Sequence, residues 1–129
     1  VEVKVALDTN AYSDFARGNA ARVMIVSSAT QIYLPFVVLA ELRAGFAYGT
    51  RAAANEIALQ QFLSSSRVGI LWADEATTRH YALLAAQLRR QGLKIPINDL
   101  WVASLVVQHG LILCTSDAHF DHFPQIPRC

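Results

Sequence analysis

A chain of 129 residues with 53% hydrophobic side chains is sized for one domain with a core and is too apolar for a disordered segment. Eleven basic and ten acidic side chains leave a formal net charge of +1, which excludes a strong whole-molecule field for DNA or an anionic membrane. No apolar run is long enough to span a bilayer, so no membrane partner is expected.

The start VKVAL runs straight into Asp8 and lacks the long apolar region of a signal peptide. The sequence starts at Val1, so an initiator methionine is expected to be missing from it. Two cysteines, Cys114 in an apolar segment and Cys129 at the end, make no disulfide framework, and a cytoplasmic location is expected. Residues 3 to 7 alternate, with Val3, Val5 and Leu7 on one face, and predict a first strand with a solvated rim at Glu2 and Lys4. Helical sequence follows Asp8. QIYLP predicts a second strand, and a helix starts near Pro35, a residue suited to a first turn. Residues 51 to 64 carry Ala58, Leu59, Phe62 and Leu63 at helical spacing, and VGILW predicts a third strand. Asp74 caps a long helix with Tyr81, Leu84, Ala85 and Leu88 on one face, Arg89 and Arg90 in its last turn and Gly92 just beyond. A further helix runs from about Asn98 to His109, with Gly110 as its stop. LILCT predicts a fourth strand, and QIP, after a short helical turn, a weak fifth.

Strands separated by helices imply right-handed crossovers and a parallel sheet. The expected architecture is a three-layer α/β/α domain around a central parallel sheet of four to five strands. No repeat, low-complexity segment or Pro/Gly-rich linker divides it, so residues 1–129 form one domain. In such sheets chemistry gathers outside the carboxyl ends of the strands.

Four acids fall near that edge. Asp8 ends the first strand, Asp117 follows the fourth in CTSD, and Asp99 opens the helix that feeds the fourth strand. Each aspartate also suits a helix cap, as Asp74 does. Glu41 is different. It sits in the apolar run LPFVVLAELRAGF with Val37, Val38, Ala44 and Gly45 at helical spacing and no basic residue to pair with, so it is expected on a packed face. Asp99 shares its face with Val102 and Ala103. Buried unpaired carboxylates are costly, and two of them roughly 5 Å apart repel by roughly 3 kcal/mol at an effective dielectric of about 20. A hard divalent cation, Mg²⁺ or Mn²⁺, relieves that repulsion. An acidic metal site at a sheet edge suits phosphoryl chemistry. No GxSxG and no GxxxxGK[ST] is present, which argues against a serine hydrolase and a P-loop nucleotide site.

VALDTN, LAEL, NDLWVAS and TSDAHF, in this order and spacing, resemble the PIN-domain family, and more narrowly the VapC-type toxin ribonucleases of bacterial toxin–antitoxin pairs. The resemblance covers nearly the whole chain. It implies a Mg²⁺- or Mn²⁺-dependent endoribonuclease that hydrolyses RNA by metal-activated water, with Asp8, Glu41, Asp99 and Asp117 as the catalytic and metal-holding acids. Glu41 is either a ligand or the group that holds and deprotonates the water. Asn10 and Thr115 match positions that orient the acids by hydrogen bonding. The resemblance also implies a homodimer and a cognate VapB-type antitoxin. Many relatives carry a hydroxyl residue shortly before the Glu, where Val38 and Leu39 stand here, so a hydrogen bond to Glu41 from that point is not expected. Alternatives are a non-catalytic PIN-like module binding RNA or protein, and a metal-dependent nuclease acting on DNA or structured RNA.

His119 and His122, flanked by Asp117 and Asp121, suggest a separate zinc or iron site, against which the resemblance accounts for Asp117 without either histidine. For RNA phosphate, Lys94 in the loop before Asp99 is the first candidate, followed by Arg43 and Arg51 around the Glu41 helix. Trp101 suits a core or interface position better than base stacking. Tyr12, Phe15, Phe46 and Tyr48 suit ordinary packing at least as well as a dimer surface or an antitoxin groove.

Overall fold

A computed structural model describes residues 2–129. The elements run β1 (Lys4–Leu7), α1 (Thr9–Ala16), α2 (Ala20–Ser28), β2 (Gln31–Pro35), α3 (Phe36–Tyr48), α4 (Ala52–Leu63), β3 (Val68–Leu71), α5 (Glu75–Arg90), α6 (Ile97–His109) and β4 (Ile112–Cys114), followed by a 3₁₀ turn at Ala118–His122. The sheet order is β3-β2-β1-β4 with every pairing parallel. Val5 sits at the centre, level with Ile32 on one side and Ile112 on the other.

Chain order moves outward from β1 to β3, then jumps back to place β4 on the far side of β1. With right-handed crossovers, that reversal puts α1–α4 on one face and α5–α6 on the other. The expected three-layer α/β/α architecture is therefore present. Val5, Ala6, Leu7, Ile32, Leu34 and Leu113 are buried, as expected for strands covered on both faces. The switch in strand order opens a crevice at the carboxyl ends of β1 and β4.

Local chemistry explains most element ends. The helical sequence after Asp8 is broken at Gly18, whose φ of +85° suits glycine, and Asn19 then caps α2 by accepting from the Arg22 amide. Asp74 caps α5, and the Thr77 hydroxyl in return accepts from the Asp74 amide. Gly110 ends α6 in the left-handed conformation.

QIP does not form a fifth strand. Ile126 donates to the Phe123 carbonyl in a turn, and prolines at 124 and 127 lack the amides a ladder needs. The pairing comes slightly later: Leu113 donates to Pro127 (2.8 Å) and accepts from Cys129 (3.0 Å), a single parallel bridge at Arg128. Phe120 and Phe123 are fully buried and anchor this last segment.

Candidate active site

Asp8 is the residue between β1 and α1. Its Oδ1 accepts from the Ala11 amide at 2.8 Å, capping α1, and its Oδ2 accepts from the Thr115 hydroxyl. Thr115 Oγ1 in turn accepts from the Asp117 amide at 2.9 Å, so the ends of β1 and β4 are tied through one hydroxyl. Asp117 Oδ1 accepts from the His119 amide at 2.8 Å and caps the 3₁₀ turn. Capping and a place at the sheet edge thus coincide in Asp8 and Asp117.

Asp99 is not a cap. Pro96 precedes α6 and Asp99 lies in its first turn, facing the loop after β4. Its Oδ2 is 2.8 Å from His119 Nδ1, which is also 3.1 Å from Asp117 Oδ1. One ligand atom from each of Asp99, Asp117 and His119 falls within 4.8 Å of the others, and among the described residues no other three acids, cysteines or histidines do so. Glu41 lines the same cleft with Pro96, Ile97 and Asn98. Asp8 is close enough to feel the charge of Asp117.

Several expectations need correction. Glu41 is exposed rather than buried. Val37 and Val38 seat the first half of α3 in the core, but Ala44 and Gly45 are exposed, because the helix carries Glu41 to the rim where its packed half ends. A hydroxyl does reach Glu41, and it comes from another helix: Thr9 Oγ1 donates to Oε1 at 2.7 Å. Asn10, beside it, is exposed and makes no side-chain hydrogen bond among the described residues. Nor do the two histidines act together: His119 enters the acid cleft, whereas Asp121 pairs with Arg128 and the His122 carbonyl accepts from Gln87.

Burial raises the Asp8 carboxyl above its ordinary pKa; hydrogen bonds from Thr115 and Ala11 and the charge of Arg22 pull it back, and Asp117 adds to the rise. Burial also raises Asp99, opposed by the hydrogen bond from His119 and reinforced by Asp117 and Glu41. Among the described residues no Lys or Arg forms an ion pair with any of the four acids. A set of hard oxygen donors, two of which, Asp8 and Asp99, burial holds above their ordinary pKa, with no Lys or Arg in an ion pair with them among the described residues, fits a divalent metal.

Arg22 had no local signal in the sequence. It is buried on α2 and donates to Ser116 Oγ (2.7 Å), to the Cys129 carbonyl (3.3 Å) and to Cys114 Sγ (3.2 Å), partners about ninety or more positions away. It clamps the loop between Thr115 and Asp117 from behind.

The RNA candidates part ways. Arg51 lines a groove between α1, α3 and α4 that Glu41 and Thr9 also border, and Arg17, which sequence reasoning passed over, lies on the same groove. Arg43 is held by Glu56 through Nε (3.0 Å) and Nη2 (3.2 Å). Lys94 borders a different depression with Arg89, Leu88 and Leu93. Trp101 packs against Tyr81, with ring centroids 4.5 Å apart, and Tyr12, Phe15 and Phe62 form a second aromatic cluster.

Comparison with known proteins agrees with this geometry. Residues 5–126 match the PIN domain family. Ribonuclease VapC4 of Mycobacterium tuberculosis is 38% identical over 92 residues, spanning 70% of this chain and 69% of that one. VapC ribonuclease Y4jK of Sinorhizobium fredii is 30% identical over 121 residues, 88% of this chain and 86% of the relative. Among solved structures, VapBC2 from Rickettsia felis bound to a DNA fragment from its promoter matches with a TM-score of 0.83 at 25% identity, over 98% of both chains. With most of its length matched, the chain belongs to the PIN-domain family and stands within it beside the VapC ribonucleases.

Proposed function

We propose that the protein is the endoribonuclease toxin of a toxin–antitoxin pair, cutting RNA phosphodiester bonds with the help of Mg²⁺ or Mn²⁺. The observation that carries this reading is the meeting of Asp99, Asp117 and His119 within 4.8 Å, with Glu41 lining the same cleft, and no Lys or Arg paired to these groups among the described residues. Asp99, Asp117 and Asp8 would hold the ion, with Glu41 as a ligand or as the base. When bound, the ion neutralises charge on the phosphate and acidifies water.

The protein's own side chains set the rest. Thr115 fixes Asp8 and, through its Oγ1, the backbone before Asp117. Thr9 holds one oxygen of Glu41 and leaves Oε2 without a side-chain partner among the described residues, free to take a proton from an attacking water. Arg51 and Arg17 border the groove that leads to Glu41 and suit an RNA backbone.

The relatives whose solved structures are VapBC assemblies support a VapB-type antitoxin as partner. A homodimer, a single nuclease domain over residues 1–129 and a cytoplasmic location complete the reading; among the described residues no helix is long and apolar enough to cross a membrane. The test is RNA cleavage by purified protein. Cleavage should need Mg²⁺ or Mn²⁺, stop in excess EDTA and disappear in Asp8→Asn and Asp99→Asn with the fold intact by circular dichroism. Undiminished cleavage in both variants, or in EDTA, would overturn the assignment.

A further inference from the structure

We propose that His119 is a metal ligand, so that the centre is a mixed oxygen and nitrogen site selecting Mn²⁺ and related transition ions over Mg²⁺. The inference rests on the metal reading of the acid cleft and goes beyond it by adding an imidazole to the carboxylates. Its basis is where Nδ1 points. It lies 2.8 Å from Asp99 Oδ2 and 3.1 Å from Asp117 Oδ1, against two separate carboxylates at once. Neighbouring ligands at about 2.1 Å from one ion, at right angles, are separated by about 3 Å. Both spacings fit such an edge. A hydrogen bond alone accounts for only one of them well, because a single Nδ1–H is directed at one acceptor.

The backbone fixes this arrangement. Asp117 caps the 3₁₀ turn, and that cap sets the direction in which residue 119 leaves it. Phe120, fully buried next in sequence, keeps the turn from rotating. The imidazole side chain remains 45% exposed, so an ion can reach its nitrogen. Imidazole suits zinc, iron, nickel and copper best; Mn²⁺ favours oxygen but belongs to the same first-row series, whereas Mg²⁺ is a hard ion that keeps oxygen and water ligands. A nitrogen in the ligand set therefore weights the site toward Mn²⁺.

The experiment is electron spin-echo spectroscopy of Mn²⁺ bound to the full chain, alongside calorimetric Mn²⁺ and Mg²⁺ affinities. The expected result is ¹⁴N modulation from a directly bound imidazole, abolished in His119→Ala and retained in His122→Ala. His119→Ala should also lower Mn²⁺ affinity by about tenfold or more, since even residues that only orient ligands cost that much. Mg²⁺ affinity should fall less. Mn²⁺ bound without ¹⁴N coupling would overturn the inference and leave the acid centre standing, with His119 reduced to a hydrogen-bonding neighbour of Asp99. Coupling that survives His119→Ala would also overturn it. No Mn²⁺ binding at millimolar concentration would overturn both the inference and the metal reading on which it rests.

Discussion

Thr9 donates its hydroxyl to Glu41 Oε1 at 2.7 Å, joining the first turn of α1 to the middle of α3 across 32 positions of sequence. Thr9 follows Asp8 directly, so one short segment positions two of the four acids: the first by ending β1, the other through a neighbouring hydroxyl. An exposed glutamate samples several rotamers, and a single donor holds this one over the cleft.

Thr9→Val keeps the branched shape and removes the donor. RNA cleavage should fall about tenfold in kcat, equivalent to roughly 1.4 kcal/mol, with KM little changed. The melting temperature should scarcely move, because the bond is exposed. Steady-state kinetics with a short RNA checks this; an unchanged kcat would mean that Glu41 needs no orientation.

Asp99 makes stability depend on pH in the metal-free protein. Burial, with Asp117 and Glu41, raises its carboxyl above the ordinary range despite the bond from His119. A raised carboxyl takes up its proton more readily in the fold than in the unfolded chain. Its favourable contribution is full below the unfolded pKa, about 3.9 for Asp, and is lost as pH rises through the folded value. Asp99→Asn carries no charge at any pH. In EDTA it should therefore melt above the parent at neutral pH, with the difference shrinking toward pH 3. Adding metal should reverse the order: at a hundred times Kd the parent gains about 2.7 kcal/mol by mass action, while the variant gains much less. A thermal melt series over pH, with and without Mn²⁺, reads both effects. A parent more stable than the variant in EDTA at pH 7 would contradict the burial argument.

What could be read from the sequence was local. Alternation in VKVAL and the apolar run QIYLP marked strands, and the Asp74 cap and the Gly110 stop marked helix ends. The edge positions of Asp8 and Asp117 followed from their places just after strands. What was hidden depended on pairs distant in sequence. Nothing near Arg22 signals Ser116, 94 positions later, and nothing near Thr9 signals Glu41. Glu41 was expected on a packed face because helical spacing reports which residues share a side, not how far along a helix the core extends. The tail was misplaced by a few residues because the parallel bridge at Arg128 takes from it only one acceptor, the Pro127 carbonyl, and one donor, the Cys129 amide, too little to leave a pattern.

Leu34 tests the sheet core. It is fully buried in β2, between β1 and β3. Leu34→Ala should cost about 2 to 5 kcal/mol, the loss of transfer energy plus an unfilled cavity. Ile57→Ala, on a residue 61% exposed on α4, should stay within about 0.5 kcal/mol of the parent. Urea unfolding separates the two. Equal losses would mean that Ile57 is covered in solution, as a dimer or antitoxin surface would be.

Arg43 lies on the Glu41 helix and Arg51 just after it, and their surroundings distinguish them. Arg43 is engaged by Glu56 through two nitrogens, which raises its pKa further and ties α3 to α4. To contact a phosphate it would have to leave that partner. Arg51 makes no ion pair among the described residues and borders the groove with Glu41 and Thr9. Each phosphate contact to a single strand releases counterions and steepens the salt dependence of binding by roughly 0.7 in log–log slope. In an Asp99→Asn background that binds without cutting, Arg51→Ala should weaken RNA binding and flatten the slope by about that amount. Arg43→Ala should leave the slope unchanged and lower the melting temperature slightly. Lys94→Ala, on a separate depression, should do neither. Fluorescence anisotropy of a labelled RNA across a range of salt concentrations is the measurement. A flattened slope in Lys94→Ala with none in Arg51→Ala would move the RNA path from the α1–α3–α4 groove to the loop before Asp99.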